Sequence, residues 1–250
     1  MAIKEKKELA TITNDDNLPD YIKIGGEARG SEDVGMEDLA IPRLEIIQAL
    51  SPCRKKTDPS YIDGAEEKQL YNNVTREMYG ESVLVVPVTF KKQYLVWKDR
   101  DSGGGFRGDF NDAESANQQI VSLVNSGDNG PFEAVDTAQH ICLLVRPNGK
   151  TEEIAISMSR SKLKVSRQWN SMIRLFEGDR FSRMYVISAV DDKGEKGEFY
   201  NFQVKPAGFP SKEVYLRAEQ LYNDIHSGDR DINVNHDTDQ ETPMQDGTDF

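Results

Sequence analysis

The segment from Arg160 to Arg183 combines positive charge with aromatic rings. Its seven bases face only two acids, Glu177 and Asp179, so it has a net charge of +5 in a chain of net charge −12. Single-stranded nucleic acid is bound by this combination, because cations line the phosphates while aromatic faces stack on bases. The bases are Arg160, Lys162, Lys164, Arg167, Arg174, Arg180 and Arg183. The rings interleaved with them are Trp169, Phe176 and Phe181, and Tyr185 follows the last base directly after Met184.

A second set of bases and rings lies between residues 91 and 107, within and after a strand-like run. The candidate DNA-binding residues drawn from both sets, and from a later strand, are Lys92, Tyr94, Trp97, Lys98, Arg100, Phe106, Arg107, Lys162, Lys164, Arg167, Arg183, Phe199 and Tyr200. Trp169 and Phe176 fall on an apolar helical stripe, which favours the core. Trp97 and Phe106 fit stacking or core equally, and the lysines also fit the protection of a strand edge.

Residues typical of catalysis or metal binding are sparse. The chain has three histidines and two cysteines, Cys53 and Cys142, and their spacing matches no zinc site. The loop 102–108 is rich in glycine but lacks the Gly-Lys-Ser/Thr ending of a phosphate loop. The acid pairs Asp99/Asp101 and Asp191/Asp192 fit a magnesium-dependent nuclease only as a third hypothesis. We therefore expect no enzyme activity, no cofactor and no metal.

The end of the chain is strongly acidic. Residues 227–250 hold seven acids and one base, with no apolar periodicity, so they cannot bury enough surface to fold. The last residue is nevertheless aromatic. We predict a flexible segment 1–36, a domain 37–227 and a disordered acidic tail 228–250 that recruits partners through Asp246, Asp249 and Phe250. The alternative is a tail that only aids solubility.

Cellular location follows from what the sequence lacks. It contains no run of 18 apolar residues and no apolar stretch after its first residues, so we expect neither a membrane span nor secretion. Two cysteines far apart are typical of a reducing cytoplasm.

Hydrophobic patterns predict a mainly β fold with added helices. Strands are expected at 41–50, where a helix also fits, and at 69–74, 82–99, 138–146, 151–158, 182–190 and 198–205. Pro87 indicates an edge or a bulge in the third of these. Helices are expected at 112–125, 162–177 and 213–225, and a flexible loop at 102–110. Antiparallel hairpins predict an α+β fold built on a five-stranded oligonucleotide-binding (OB) barrel.

Three features of the sequence resemble phage single-stranded DNA-binding proteins. They are the pattern Ile-Pro-Arg-Leu to Ser-Pro over 41–52, the pattern Val-Val-Pro-Val to Trp over 85–97 with the following Gly-Gly-Gly-Phe, and the C-terminal Asp-Gly-Thr-Asp-Phe. The last is similar to the end of the T7-type phage protein. The resemblance implies an OB barrel, a sequence-tolerant groove and a tail that binds replication proteins such as a polymerase or helicase/primase.

The leading hypothesis is therefore a protein that coats single-stranded DNA during phage replication, recombination or repair in the cytoplasm of an infected bacterium. The alternative is an acidic protein-interaction module or a DNA-mimic inhibitor of a host enzyme. That alternative predicts acids spread over the folded body, whereas the sequence separates a basic segment from an acidic tail.

Overall fold

The computed structural model describes residues 40–99, 102–194 and 197–228, together with Arg230, Ile232 and Val234. In this part the chain forms nine strands and three helices. In order they are β1 (Leu44–Ile46), β2 (Leu70–Asn72), β3 (Met78–Gly80), β4 (Ser82–Lys98), β5 (Phe106–Phe110), α1 (Ala113–Asn125), β6 (Phe132–Val145), β7 (Thr151–Ser159), α2 (Lys162–Leu175), β8 (Tyr185–Gly194), β9 (Gly197–Pro206) and α3 (Lys212–Ser227).

Strand β4 organises the larger of two antiparallel sheets. The order is β7-β6-β4-β8-β9, and β5 pairs with the far half of β4. β6 runs along nearly all of β4, whereas β8 covers only its first residues, 82–85. The α+β, mainly β class is therefore confirmed. The described strands do not close into a barrel, because β7 and β9 lie at opposite ends of the sheet and do not pair with each other.

Pro87 lies at an irregularity in β4, as the sequence predicted. The pairing with β6 shifts register between Pro87 and Thr89. Proline has no N–H to donate to a neighbouring strand, so a bulge lets the strand remain central.

The prediction of a flexible loop at 102–110 is wrong for its second half, because β5 occupies residues 106–110. Tyr94 pairs with Phe110 and Trp97 with Phe106, and the Lys98 N–H donates to the Gly105 carbonyl oxygen at 3.0 Å. Gly108 has a φ of +125°, and a Cβ there would lie 3.1 Å from the Phe110 ring. Only glycine at position 108 lets the backbone of β5 come this close to the Phe110 ring. Glycine-rich sequences are typical of loops, which is why the sequence predicts a loop here.

The helices begin and end close to the predicted residues. Asp112 caps α1, its carboxylate accepting from the Ser115 N–H at 2.8 Å, and Ser211 caps α3 in the same way. Gly228 ends α3 in the left-handed conformation that glycine adopts without strain. Ser161 precedes α2 but makes no side-chain cap bond.

Both faces of the larger sheet are covered. One face packs against α2 and the small β1-β2-β3 sheet, in a cluster that includes Leu44, Leu70 and Trp169. The opposite face packs against α3, with Phe181 and Leu221 in its core. Alternate residues of β6 and β7 serve the two clusters, as the two-residue period of a strand requires.

The segment 41–48 connects the two ends of the larger sheet. The Pro42 carbonyl oxygen accepts from the Ala155 N–H of β7 at 2.8 Å. At the other end, the Gln48 side chain accepts from the Tyr200 N–H of β9 at 2.9 Å and donates to its carbonyl oxygen at 2.8 Å. A side-chain amide thus occupies the place of a neighbouring strand. We call residues 41–48 the edge strap.

The chain continues to contact the folded body after α3. Val234 is buried and forms a parallel bridge with Ile41, while Arg230 makes an ion pair with Glu153. The predicted tail, 228–250, therefore includes at its start residues that contact the domain.

Candidate nucleic-acid interface

The predicted cations of the β4–β5 region are paired with acids. Lys98 makes a short ion pair with Asp128, and Arg107 lies 3.4 Å from the same carboxylate. Lys92 lies 3.1 Å from Asp136, and its hydrogen bond to that carboxylate, followed by the negative charge, raises the pKa of the lysine. The paired residues are 21 to 44 positions apart in the chain, so sequence spacing does not reveal these contacts. The positive charges of Lys92, Lys98 and Arg107 are thus largely compensated by carboxylates within the fold, and a phosphate would have to compete with them.

The rings of this region are half-buried and packed on one another. The centroids of Trp97 and Phe106 lie 5.2 Å apart, with the rings tilted by 54°. The Lys92 ammonium lies 5.6 Å from the centroid of the Tyr94 ring. Trp97 and Phe106 thus pack against each other in a tilted arrangement.

Predicted residues near β9 take part in packing. Tyr200 is half-buried, and its hydroxyl donates to the Glu67 carboxylate at 2.8 Å. Phe199 is the preceding residue, so its side chain leaves the opposite face of the strand. The Lys162 ammonium lies 5.1 Å from the centroid of the Phe202 ring. Arg100, Asp246, Asp249 and Phe250 lie outside the described residues.

The bases from α2 to β8 differ from the first set, because none of them pairs with an acid in the described part of the chain. They are Lys162, Lys164, Arg167, Arg174, Arg180 and Arg183. The seventh base of the sequence 160–183, Arg160, is excluded because it forms an ion pair with Glu133. Lys164, Arg167 and Arg174 are exposed. We call these six residues the basic segment.

Behind the basic segment lies a buried polar network. His140 is fully buried and stacks on Trp169 with centroids 4.4 Å apart, so Trp169 belongs to the core. Arg180 donates to His140 Nδ1 at 2.7 Å and to Asn170 Oδ1 at 3.0 Å. Since a guanidinium only donates, Nδ1 must accept, and the Nε2–H therefore points to the Ser166 hydroxyl oxygen at 2.8 Å.

Burial decides the protonation of this network. Desolvation, followed by the charge of Arg180, holds the pKa of His140 well below its usual value, so the ring is neutral. Burial also lowers the pKa of Arg180, but an arginine side chain stays charged in proteins. Arg180 is thus a largely buried cation whose described partners are neutral.

Two phenylalanines are the only exposed aromatic residues among those described, and each contacts an arginine of the basic segment. Phe90 is 40% exposed, and the Arg180 guanidinium lies 5.4 Å from its ring centroid. Phe209 is 63% exposed, and the Arg183 guanidinium lies 5.6 Å from its centroid and 4.8 Å from that of Phe176. We call these two pairs the Phe–Arg pairs.

Sequence reasoning missed three of these four residues. Phe90 shares a strand face with Lys92 and Tyr94 by the two-residue period of β4, but nothing in the sequence marks it as exposed. Phe209 follows Gly208 in a short connection after β9, which was a signal for a surface position. Arg180 belonged to the basic segment but not to the selected site residues.

The acid pairs proposed for metal binding serve other purposes where they are described. Asp191 pairs with Lys68 at 2.6 Å, and Asp192 accepts from the Asn201 amide at 2.8 Å. No group of three or more His, Cys, Asp or Glu residues suited to a metal occurs in the described part. Both cysteines are buried, and burial raises the pKa of the Cys142 thiol to about 12.

The fold and its surface define a mainly β, α+β protein with a basic helix that pairs with no acid among the described residues and lies beside exposed aromatic rings. Residues 9–231 match the family described as Pam3 phage gp34-like protein, and the chain belongs to that family. Membership agrees with the phage origin that the sequence suggested. No curated protein matches the chain. No solved structure matches it either.

None of the described helices combines the length and the apolar character that crossing a lipid bilayer requires.

Proposed function

We propose that this protein binds single-stranded DNA without catalysis and without strong base preference, as part of phage replication or recombination. The observation that carries the proposal is the basic segment: six bases within 22 residues, none with an acid partner in the described structure. Many other bases of this protein form ion pairs, whereas these six pair with no acid among the described residues, so they retain capacity to bind an anionic polymer.

Exposed rings beside this cluster favour single strands over duplex. Bases can stack on a ring only when they are unpaired and splayed, whereas a duplex offers phosphates alone at such a surface. The body of the protein also differs from a DNA mimic. Several of its acids, such as Asp128 and Asp136, face bases within the fold. An oligonucleotide-binding groove on an open antiparallel sheet and a partner-recruiting tail remain parts of this proposal.

The test is a titration of the protein with oligo-dT and with duplex DNA of equal length at several salt concentrations. We expect tighter binding of oligo-dT and a linear fall of log affinity with log salt, because phosphate contacts release counterions. Arg167→Ala should lower the magnitude of the salt slope by about 0.7, the value for one single-strand phosphate contact.

The matched control is Lys150→Ala, which removes one exposed charge from the β6–β7 turn, outside the basic segment. It should leave the slope unchanged. Equal affinity for duplex and single strand, or an Arg167→Ala slope equal to that of Lys150→Ala, would contradict the proposal.

A further inference from the structure

The short turn between α2 and β8 places the two arginines of the Phe–Arg pairs close together in the chain. Residues Arg180–Ser182 form a single 3-10 turn, and Arg183 follows it directly. The Ser182 N–H donates to the Asp179 carbonyl oxygen at 2.9 Å, which closes the turn. Two cations and two exposed rings are therefore organised by four consecutive residues.

Phe181 fixes this turn to the body of the protein. Its ring is buried and lies 5.2 Å from the Tyr215 ring and 5.7 Å from the Tyr222 ring of α3, measured between centroids. The two arginines flank this anchor in sequence and reach different rings, Phe90 and Phe209. Anchored in this way, the turn loses little conformational entropy when a ligand binds.

Both arginines retain hydrogen-bonding capacity. A guanidinium has five N–H donors, and Arg180 uses only those that reach His140 and Asn170. Arg183 makes no hydrogen bond to any described residue; it contacts the Phe176 and Phe209 rings instead. A phosphate can therefore accept from each arginine without displacing a carboxylate.

We propose that the two Phe–Arg pairs are two nucleotide-binding sites for the same DNA strand. In each site a base stacks on the phenylalanine ring and a phosphate lies beside the arginine. This inference rests on the proposed function, since it names where that same surface holds single-stranded DNA. It assigns the base contacts to Phe90 and Phe209 rather than to Trp97 and Phe106, whose rings pack on each other.

The test measures oligo-dT affinity of the full chain and of Phe90→Ala, Phe209→Ala and the double variant at fixed salt. Each single change should weaken binding by about 5- to 150-fold, the range for loss of one base–aromatic stack. The salt slope should stay unchanged, because no cation is removed. Leu216→Ala is the matched control, since it shortens an apolar side chain that is 48% exposed on α3.

An oligonucleotide of abasic sites separates stacking from any indirect effect. With the bases absent, the wild type and the two alanine variants should bind with equal affinity. Arg183→Ala should still lower the salt slope by about 0.7 on either ligand. The Phe90 ring also lies 5.0 Å from the His140 ring, measured between centroids. Phe90→Leu therefore accompanies Phe90→Ala, because leucine keeps apolar contact with Arg180 and His140 while removing the aromatic face.

The outcomes distinguish the two proposals. If the wild type does not bind oligo-dT, the proposed function fails. If the wild type binds but both phenylalanine variants behave like Leu216→Ala, the two nucleotide-binding sites are contradicted while the proposed function stands. If the variants lose as much affinity for the abasic oligonucleotide as for oligo-dT, their effect is not due to stacking. The two nucleotide-binding sites are then also contradicted.

Discussion

At the scale of residues, the bases that could bind an anion differ from the others in that no described carboxylate compensates their charge. Lys98 and Arg107 share Asp128, whereas Arg180 makes its described contacts with neutral groups. Burying a cation beside neutral partners costs free energy that an ion pair would offset. Under the proposed function, a phosphate would supply the anionic partner that Arg180 lacks among the described residues, whereas Lys98 and Arg107 already share a carboxylate.

The neutral state of His140 predicts a stability loss in mild acid. Its pKa is low in the folded protein and ordinary, about 6.5, in the unfolded chain. The unfolded state therefore binds the extra proton first, so stability is fully present above that pH and falls as the pH drops below it. We expect the free energy of unfolding to decrease by roughly 1 kcal/mol between about pH 7.5 and pH 5.5.

Urea unfolding at several pH values measures this effect, and His140→Gln is the comparison. Glutamine cannot be protonated, so its stability should change less over the same interval, whatever its stability at neutral pH. The window lies above the range in which the carboxylates titrate, which separates the two classes of group. Parallel pH profiles for the wild type and His140→Gln would show that the histidine does not control the loss.

At the scale of elements, the strand and helix pattern could be predicted well because it depends on local sequence. The β-branched run of β4, the cap at Asp112 and the stop at Gly228 each act within a few residues. β5 could not be predicted, since its stability comes from pairing with β4 and from glycines that resemble a loop. The closure of the sheet also depends on which strands meet, which local patterns do not determine.

The edge strap is the element whose role the sequence hides most. Its hydrogen bonds join Gln48 to β9 across 152 residues of chain and satisfy both backbone groups of Tyr200. Edge strands with unsatisfied backbone groups are prone to pair with other chains. The edge strap therefore protects one end of the sheet as well as stabilising it.

Gln48→Ala tests this role. Loss of two hydrogen bonds at about 0.5–1.5 kcal/mol each should lower the free energy of unfolding by about 1–3 kcal/mol. For a folded part of this size, each kcal/mol corresponds to a shift of about 2–4 °C in Tm. Gln118→Ala, at an exposed site on α1, should leave Tm nearly unchanged. A Gln48→Ala variant as stable as Gln118→Ala would show that the edge strap is not held by this side chain.

At the scale of the whole molecule, charge is divided between the basic segment and the end of the chain. Residues 235–250 contain five acids and no base, and they follow Val234, the last described residue, which contacts the domain. Sixteen residues at ~3.3 Å each reach at most about 50 Å, enough to bring these acids to many surfaces of a domain of this size. Tethered acids are present at high effective concentration near any cationic surface they reach.

Deleting residues 235–250 should tighten oligo-dT binding, most strongly at low salt. The acids compete with phosphates for the basic segment, and salt screens that competition, so the gain should shrink as salt rises. The deletion begins after Val234 because that residue is buried, and Tm should therefore change little. Titrations at two salt concentrations, with a thermal melt of each protein, measure both effects.

Two further variants separate charge from the terminal ring. Replacing the five acids by their amides, with Phe250 retained, should tighten binding as the deletion does, because the competition is electrostatic. Phe250→Ala, with all acids retained, should leave DNA affinity nearly unchanged and abolish capture of a replication partner such as a polymerase or helicase. If the deletion leaves low-salt affinity unchanged, the acids do not reach the basic segment. If Phe250→Ala also leaves partner capture intact, the tail serves solubility alone.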